Sequence, residues 1–280
     1  MTALTSLTMR ELKKLSNSPI LIIMTVVQPI LWLGLFGKAF DVTGFLTIPK
    51  DMLEGMPPFI TAQFSRLVNE ALQRLFGGTA DYFSYLATGM LAIVVLFTSM
   101  QAGMSLIWDR RTGFLEKLLA SPIHRRTILT SKVFYSVIRG LLQALLVFFI
   151  AVALGLDLSN AAPWSFALSF VSLFLLSLTL SSLFMLASVR VKTWETQMAM
   201  INLLNLPLMF ASNTLAPASR LPEWILPVVQ VNPVTYANNV IRASLFNQLI
   251  AYSDLLVLAS YAIIMFTVCS LIGPKALEEV

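Results

Sequence analysis

Residues 108–132 read WDRRTGFLEKLLASPIHRRTILTSK. Six of the chain's nineteen Lys and Arg fall here (Arg110, Arg111, Lys117, Arg125, Arg126, Lys132), in a protein of 280 residues of which only 12% are charged. On either side lie long apolar runs, 82–108 and 133–156. A helix needs about 20 mostly apolar residues to cross a bilayer. The stretch therefore reads as a charged turn between two membrane crossings, and that reading sets the fold.

The rest of the chain agrees with it. Hydrophobic residues make up 57% and mean hydropathy is +0.80, far from a water-soluble composition. Long apolar runs without period-two alternation imply helices, because lipid supplies no partners for backbone polar groups. The expected class is an all-α polytopic membrane protein, one domain over 1–280, with six spans at 19–38, 82–108, 133–156, 164–189, 197–217 and 254–274. The first apolar run is longer than a signal-peptide core and no A-x-A site follows, so it reads as an uncleaved first span.

Charge sets the expected orientation. With the N-terminus inside, thirteen basic residues are inner: Arg10, Lys13, Lys14, the six above, Arg139, Arg190, Lys192 and Lys275. Six are outer: Lys38, Lys50, Arg66, Arg74, Arg220 and Arg242. This bias places both termini in the cytoplasm and the chain in the cell membrane. Arg139 is expected to snorkel from the inner end of the third span. The net charge of +5 serves topology, with no single basic surface for nucleic acid.

Three segments outside the spans carry pattern. Residues 2–15 bring Leu4, Leu7, Leu12 and Leu15 near one face, as in a helix lying in the membrane interface. Residues 58–76 repeat apolar residues at helical spacing opposite Gln63, Arg66, Glu70 and Arg74, which fits an outer amphipathic helix on the leaflet or packed on the protein. Residues 218–246 carry Pro222, Pro227 and Pro233, which forbid one continuous helix, and Trp224 and Tyr236 suit the membrane boundary. Short broken helices re-entering the outer leaflet are expected there, the longest at 234–246.

Catalytic motifs are missing. The one GK, Gly37-Lys38, is followed by Ala39 and makes no nucleotide-binding loop. One His (His124) and one Cys (Cys269) leave little for a transition-metal site. The spans hold Ser, Thr, Asn and Gln rather than paired acids, which disfavours an ion-coupled carrier. In the fifth span Asn202, Asn205, Met209 and Asn213 fall near one face, as lining for a substrate path or as interhelical hydrogen bonding.

Within 108–132, Phe114, Leu115, Leu118 and Leu119 form the apolar side of a short helix that Ser121-Pro122 ends. That side needs the membrane or a partner protein to cover it. The stretch resembles the first cytoplasmic loop of permease subunits of type-2 ATP-binding-cassette (ABC) transporters, through Gly113, Leu115-Glu116, Leu119, Ser121-Pro122, Arg125 and Lys132. Pro217, Leu221-Pro222, Trp224, Asn232-Pro233, Tyr236 and Arg242 resemble the family's outer pattern. Within the family the loops look most like drug-exporter (daunorubicin-resistance-like) permeases, with polysaccharide exporters as close relatives.

The resemblance implies a membrane subunit that exports drug-like or lipid-like amphipathic substrates. It implies two copies of a separate ATPase subunit, which hold the ATP and Mg, and a second permease copy, identical or related. It makes 113–121 a coupling helix, with Arg110, Arg111 and Glu116 fixing the dock, so that Leu118→Asp should weaken ATPase association. It also makes 218–246 an outer gate. Against it stands a non-ABC carrier or scaffold whose charged loop only sets topology.

Overall fold

A computed structural model describes residues 3–17, 19–39, 57–159, 161–249 and 251–278. The first part of the expected outer loop, 41–56, lies outside the described residues. Among those described, all regular structure is helical. The helices are α1 (Ala3–Ser16), α2 (Pro19–Trp32, continuing as a π-helix over Leu33–Ala39), α3 (Pro58–Leu75), α4 (Tyr82–Arg111) and α5 (Phe114–Leu119). They continue as α6 (Arg125–Ala153), α7 (Pro163–Val189), α8 (Trp194–Phe210), α9 (Leu226–Val231), α10 (Pro233–Leu245) and α11 (Tyr252–Glu278).

Four of these, α4, α6, α7 and α11, are long and apolar enough to cross a membrane. The first expected span is helical over its whole length, though only part of it is α-helix, and the fifth comes out shorter. α2 has 14 α-helical residues before the π turns, and α8 has 17. The expected fifth span at 197–217 ends at Phe210. Pro207, near its C-terminus, removes one backbone donor, and the chain bends through 211–216. The third span begins earlier than expected, at Arg125, because charged residues can lead a helix that is buried further along.

α4 is the hub. It packs most extensively on α6 and α7, and most of its apolar length is buried. Small residues bring the three together. A methyl on Gly140 of α6 would meet Thr98 Oγ1 of α4 at 2.8 Å, and a methyl on Gly103 of α4 would meet the Phe184 carbonyl of α7 at 2.7 Å. Hydroxyls fill the seam: Ser136 donates to the Thr98 carbonyl at 3.0 Å and Ser181 to Ser136 at 3.0 Å. Close approach with interhelical hydrogen bonds is how helices associate where lipid provides no hydrophobic drive. α11 lies at the edge with little of its apolar length buried, turning Leu256, Ile263, Ile264 and Leu271 outward.

The helices define two ends. The loop end holds α1, α5 and a core of Leu106, Leu115, Leu118, Ile128, Leu129 and Val133. The opposite end holds α3, α9 and α10. α10 lays Val234, Ala237, Ile241 and Leu245 into the larger core and packs against α7, where Ser169 and Ser244 share a hydrogen bond at 2.9 Å. α3 matches its expected range within a residue. Its last turn packs Leu72 and Phe76 on Tyr85, while Phe59, Ile60 and Leu67 stay exposed.

Candidate functional site

The loop end is built around α5. α4 stops at Arg111 because Gly113 takes a left-handed conformation, φ 66°, which turns the chain at once into α5. The turn is stapled from both sides. Arg110 donates to the Val189 carbonyl at 3.0 Å and to the Val191 carbonyl, tying α4 to the α7–α8 connection. The Ser121 hydroxyl closes the end of α5 on the Leu118 carbonyl at 2.6 Å.

The apolar side of α5 is covered by neither of the expected candidates. Leu115 and Leu118 pack into the protein's own loop-end core. Phe114 lies under the guanidinium of Arg10, 3.6 Å from ring centroid to Cζ. Arg111, Glu116, Lys117, Pro122, His124 and Arg126 remain exposed. The exposed surface of this turn is therefore mainly charged and polar. Leu118→Asp would bury a carboxylate in the core, so it tests folding rather than docking.

Behind α5 sits an ion cluster that sequence reading missed. Lys132 is 2% exposed and donates to Asp109 Oδ2 at 2.5 Å and to the Ser105 carbonyl at 3.1 Å. Glu11 of α1 reaches Lys132 at 3.8 Å and pairs with Arg10 at 2.7 Å and Lys14 at 3.4 Å. Arg10 and Lys14 also approach Asp109, at 3.4 and 3.5 Å. One buried lysine thus ties α1 to α4 and α6. The buried face of α1 is consequently Thr8 and Glu11, while Leu4, Leu7 and Leu12 are only partly buried. α1 docks on the bundle by charge through its Thr8–Glu11 face, and Leu4, Leu7 and Leu12 keep part of their surface outside that contact. Asp109 adjoins Arg110 at the end of a span, and Lys132 lies near the start of the next. That pairing is the signal a sequence reader could have used.

At the opposite end Arg242 is buried with no carboxylate paired to it among the described residues. It donates to the carbonyls of Asn213 (2.9 Å), Tyr85 (3.1 Å) and Thr214 (3.2 Å) and to Thr88 Oγ1 (3.3 Å), and stacks on the Tyr85 ring at 3.6 Å. Asn232 caps α10 by accepting from Val234 N and donates to the Leu208 and Ala211 carbonyls at 2.9 and 2.6 Å. Those carbonyls belong to the frayed end of α8, so Asn232 replaces the turn that α8 lacks. Pro233 occupies the first helical position of α10, and Tyr236 donates to the Gln230 carbonyl. Pro222 and Trp224 are exposed.

The structure separates the four fifth-span residues. Asn202 is exposed, while Asn205 and Met209 are buried, the Asn205 Oδ1 meeting no donor among the described residues. Asn213 lies past the helix end in an amide chain, donating to Asn239 at 2.7 Å and accepting from Asn238 at 3.1 Å. Asn239 in turn donates to Asp254 at 2.8 Å. For Asn213 the hydrogen-bonding reading describes what is observed. Arg125 opens α6 half-buried beside the loop. Arg139 does not snorkel; it is 3% exposed, inside the bundle.

Four crossing-length helices around a small-residue seam, with a stapled charged turn at one end and broken helices at the other, define a multi-pass helical membrane protein. The sequence matches the ABC-2 type transporter family over residues 2–246, and the chain belongs to that family, whose members are transport permeases. It is 30% identical over 230 residues to "Putative transport permease ycf38" of Cyanophora paradoxa, covering 82% of this chain and 69% of that protein. The protein of the same name from Porphyra purpurea is 27% identical over 226 residues, covering 80% and 67%.

Proposed function

We propose that the chain is the membrane-spanning subunit of an ATP-driven exporter. A separate ATPase docks on loop 109–132, and amphipathic or hydrophobic cargo leaves the cytoplasm. In this reading the loop end is cytoplasmic, and α2 and α8 complete six crossings. The assembly holds two permeases and two ATPases, which carry the ATP and Mg. α9, α10 and the turns before them, with Pro222, Trp224, Asn232, Pro233, Tyr236 and Arg242, form the outer gate.

The observation that carries the reading is the mounting of α5. Its apolar side is fixed in the loop-end core, and Arg110 and the Asp109–Lys132 pair clamp the adjoining helix ends. A push on Glu116 and Lys117 would reach α4, α6 and α7 without being lost in a flexible loop. A loop that served topology alone would need charge without rigidity.

Affinity purification of the full chain, with mass spectrometry of what accompanies it, tests this. A stoichiometric ATPase is the expected companion. Glu116→Arg, which reverses an exposed charge, should cut its recovery by about tenfold through like-charge contact while leaving the fold intact. Recovery of no ATPase under conditions that preserve other ABC complexes would overturn the reading.

A further inference from the structure

Arg139 raises a separate question. Its guanidinium is held inside a crossing-length helix, where a charge is costly and ordinarily has a partner. One N–H donates to the Tyr135 hydroxyl at 3.2 Å, Nε–H meets no acceptor, and no carboxylate lies within 4 Å among the described residues. The two nearby acids are committed: Asp109 holds Lys132, and Glu11 holds Arg10 and Lys14. Asp109 and Glu11 are shared among Lys132, Arg10 and Lys14, which leaves the buried Arg139 without a carboxylate partner among the described residues.

There is room for one. Gln101, Met104, Trp108, Tyr135, Arg139 and Trp194 line a cavity of about 660 Å³, together with Glu11 and Lys14. That volume is within the range of about 300–1,000 Å³ that holds drug-sized ligands, and it far exceeds what a bare oxyanion fills. The walls divide in character. Arg139, Lys14 and Gln101 supply donors, while Met104 and the edge-to-face pair Trp108–Trp194, centroids 6.5 Å apart, supply apolar surface. Trp108 is 55% exposed and stands where an acyl or aromatic tail would enter from the surroundings of the helices.

We propose that this cavity binds an amphiphile with an oxyanion headgroup, a phosphate or carboxylate, whose charge pairs with Arg139 and whose tail lies between Trp108, Trp194 and Met104. Guanidinium suits this role because its planar donors match two oxygens at once. As a cargo site the cavity rests on the export reading above; as a binding site it does not.

The test uses the full chain in phosphatidylcholine nanodiscs. Short-chain phosphatidic acid and the matching diacylglycerol, both with brominated tails, are titrated while tryptophan fluorescence is followed. Inorganic phosphate alone is the third probe. The wild-type protein should bind the acid about tenfold more tightly than the neutral lipid, the effect of one charged hydrogen-bonded pair. Arg139→Gln should bring the two within about twofold, and Arg139→Lys should fall between. Millimolar inorganic phosphate should displace little.

Equal binding of the two lipids by wild type overturns the proposal without recourse to any variant. An undiminished preference in folded Arg139→Gln does the same. Inorganic phosphate binding as tightly as the phosphatidic acid would overturn the amphiphile and leave a site for the free anion. None of these readouts involves an ATPase, so failed ATPase recovery and failed lipid discrimination retire different claims.

Discussion

Lys132 and Arg242 are both buried cations, one at each end of the bundle, and they are compensated in opposite ways. Lys132 sits among charges: Asp109 at 2.5 Å and Glu11 at 3.8 Å. Arg242 sits among dipoles, three main-chain carbonyls and a hydroxyl, with an aromatic face above it. The difference follows from shape. An ammonium concentrates its charge and is satisfied by a carboxylate, whereas a planar guanidinium spreads five donors across a surface of oxygens. The ion cluster joins separate helices through replaceable side chains. The Arg242 knot joins them mainly through backbone acceptors, so the guanidinium can be substituted but the carbonyls it leaves cannot.

Asp109→Asn is the largest expected break. It leaves Lys132 buried with its closest counter-charge gone, and unpairing a buried ion costs about 3–5 kcal/mol. A large fall in the thermal midpoint of the detergent-solubilised protein would show it. Because both partners are side chains, the double variant Asp109→Asn/Lys132→Met should recover most of the loss. Strict additivity of the two substitutions would mean that the pair does not act as a unit.

Arg242→Met should cost less, about 2–3 kcal/mol, and no second substitution should restore it. The oxygens it leaves are not equally stranded. Asn213 O keeps the Tyr85 hydroxyl at 2.5 Å and Tyr85 O keeps the Thr88 hydroxyl at 2.8 Å. Thr214 O loses the side-chain donor it has, and one orphaned buried acceptor costs about 1–3 kcal/mol. Removing the guanidinium also relieves its own burial, which limits the total. A loss exceeding that of Asp109→Asn would reverse the comparison and show the broken-helix end to be the firmer of the two.

The two ends were also unequally legible. Crossing-length helices, the short helix ended by Ser121-Pro122, the helix at 58–75 and the longest broken helix at 233–245 follow from apolar run length, proline and helical spacing, all local properties of the chain. Arg242 and Asn232 stood out only through a family resemblance, since nothing local shows that Asn232 would complete the end of α8. The ion cluster and Arg139 depend on how α1, α4 and α6 are rotated about their axes. Rotation decides that α1 buries Thr8 and Glu11 more fully than Leu4, Leu7 and Leu12, and that Arg139 turns into the bundle. In a helix nearly uniformly apolar, the sequence carries little record of that angle, so the residues that matter most there were read as topology or snorkelling.

Glycine offers the finest comparison of the ends. Gly113 introduces α5 with φ 66°, and Gly77 ends α3 with φ 63°, so alanine at either position meets the same left-handed strain, about 1 kcal/mol. Their surroundings differ. A methyl at 77 would touch only the Arg242 side chain, at 3.8 Å, an ordinary contact. A methyl at 113 would press on Glu116 Oε2 at 3.2 Å, the carboxylate on the exposed face proposed for docking. Gly113→Ala and Gly77→Ala should therefore lower stability about equally, while only Gly113→Ala reduces ATPase recovery. Equal recovery from both would separate the turn from the partner surface and confine Gly113 to shaping the chain. A stability loss well above that of Gly77→Ala would instead show that α5 cannot shift without disturbing Leu115 and Leu118 beneath it, and that rigidity is the property the proposed coupling requires.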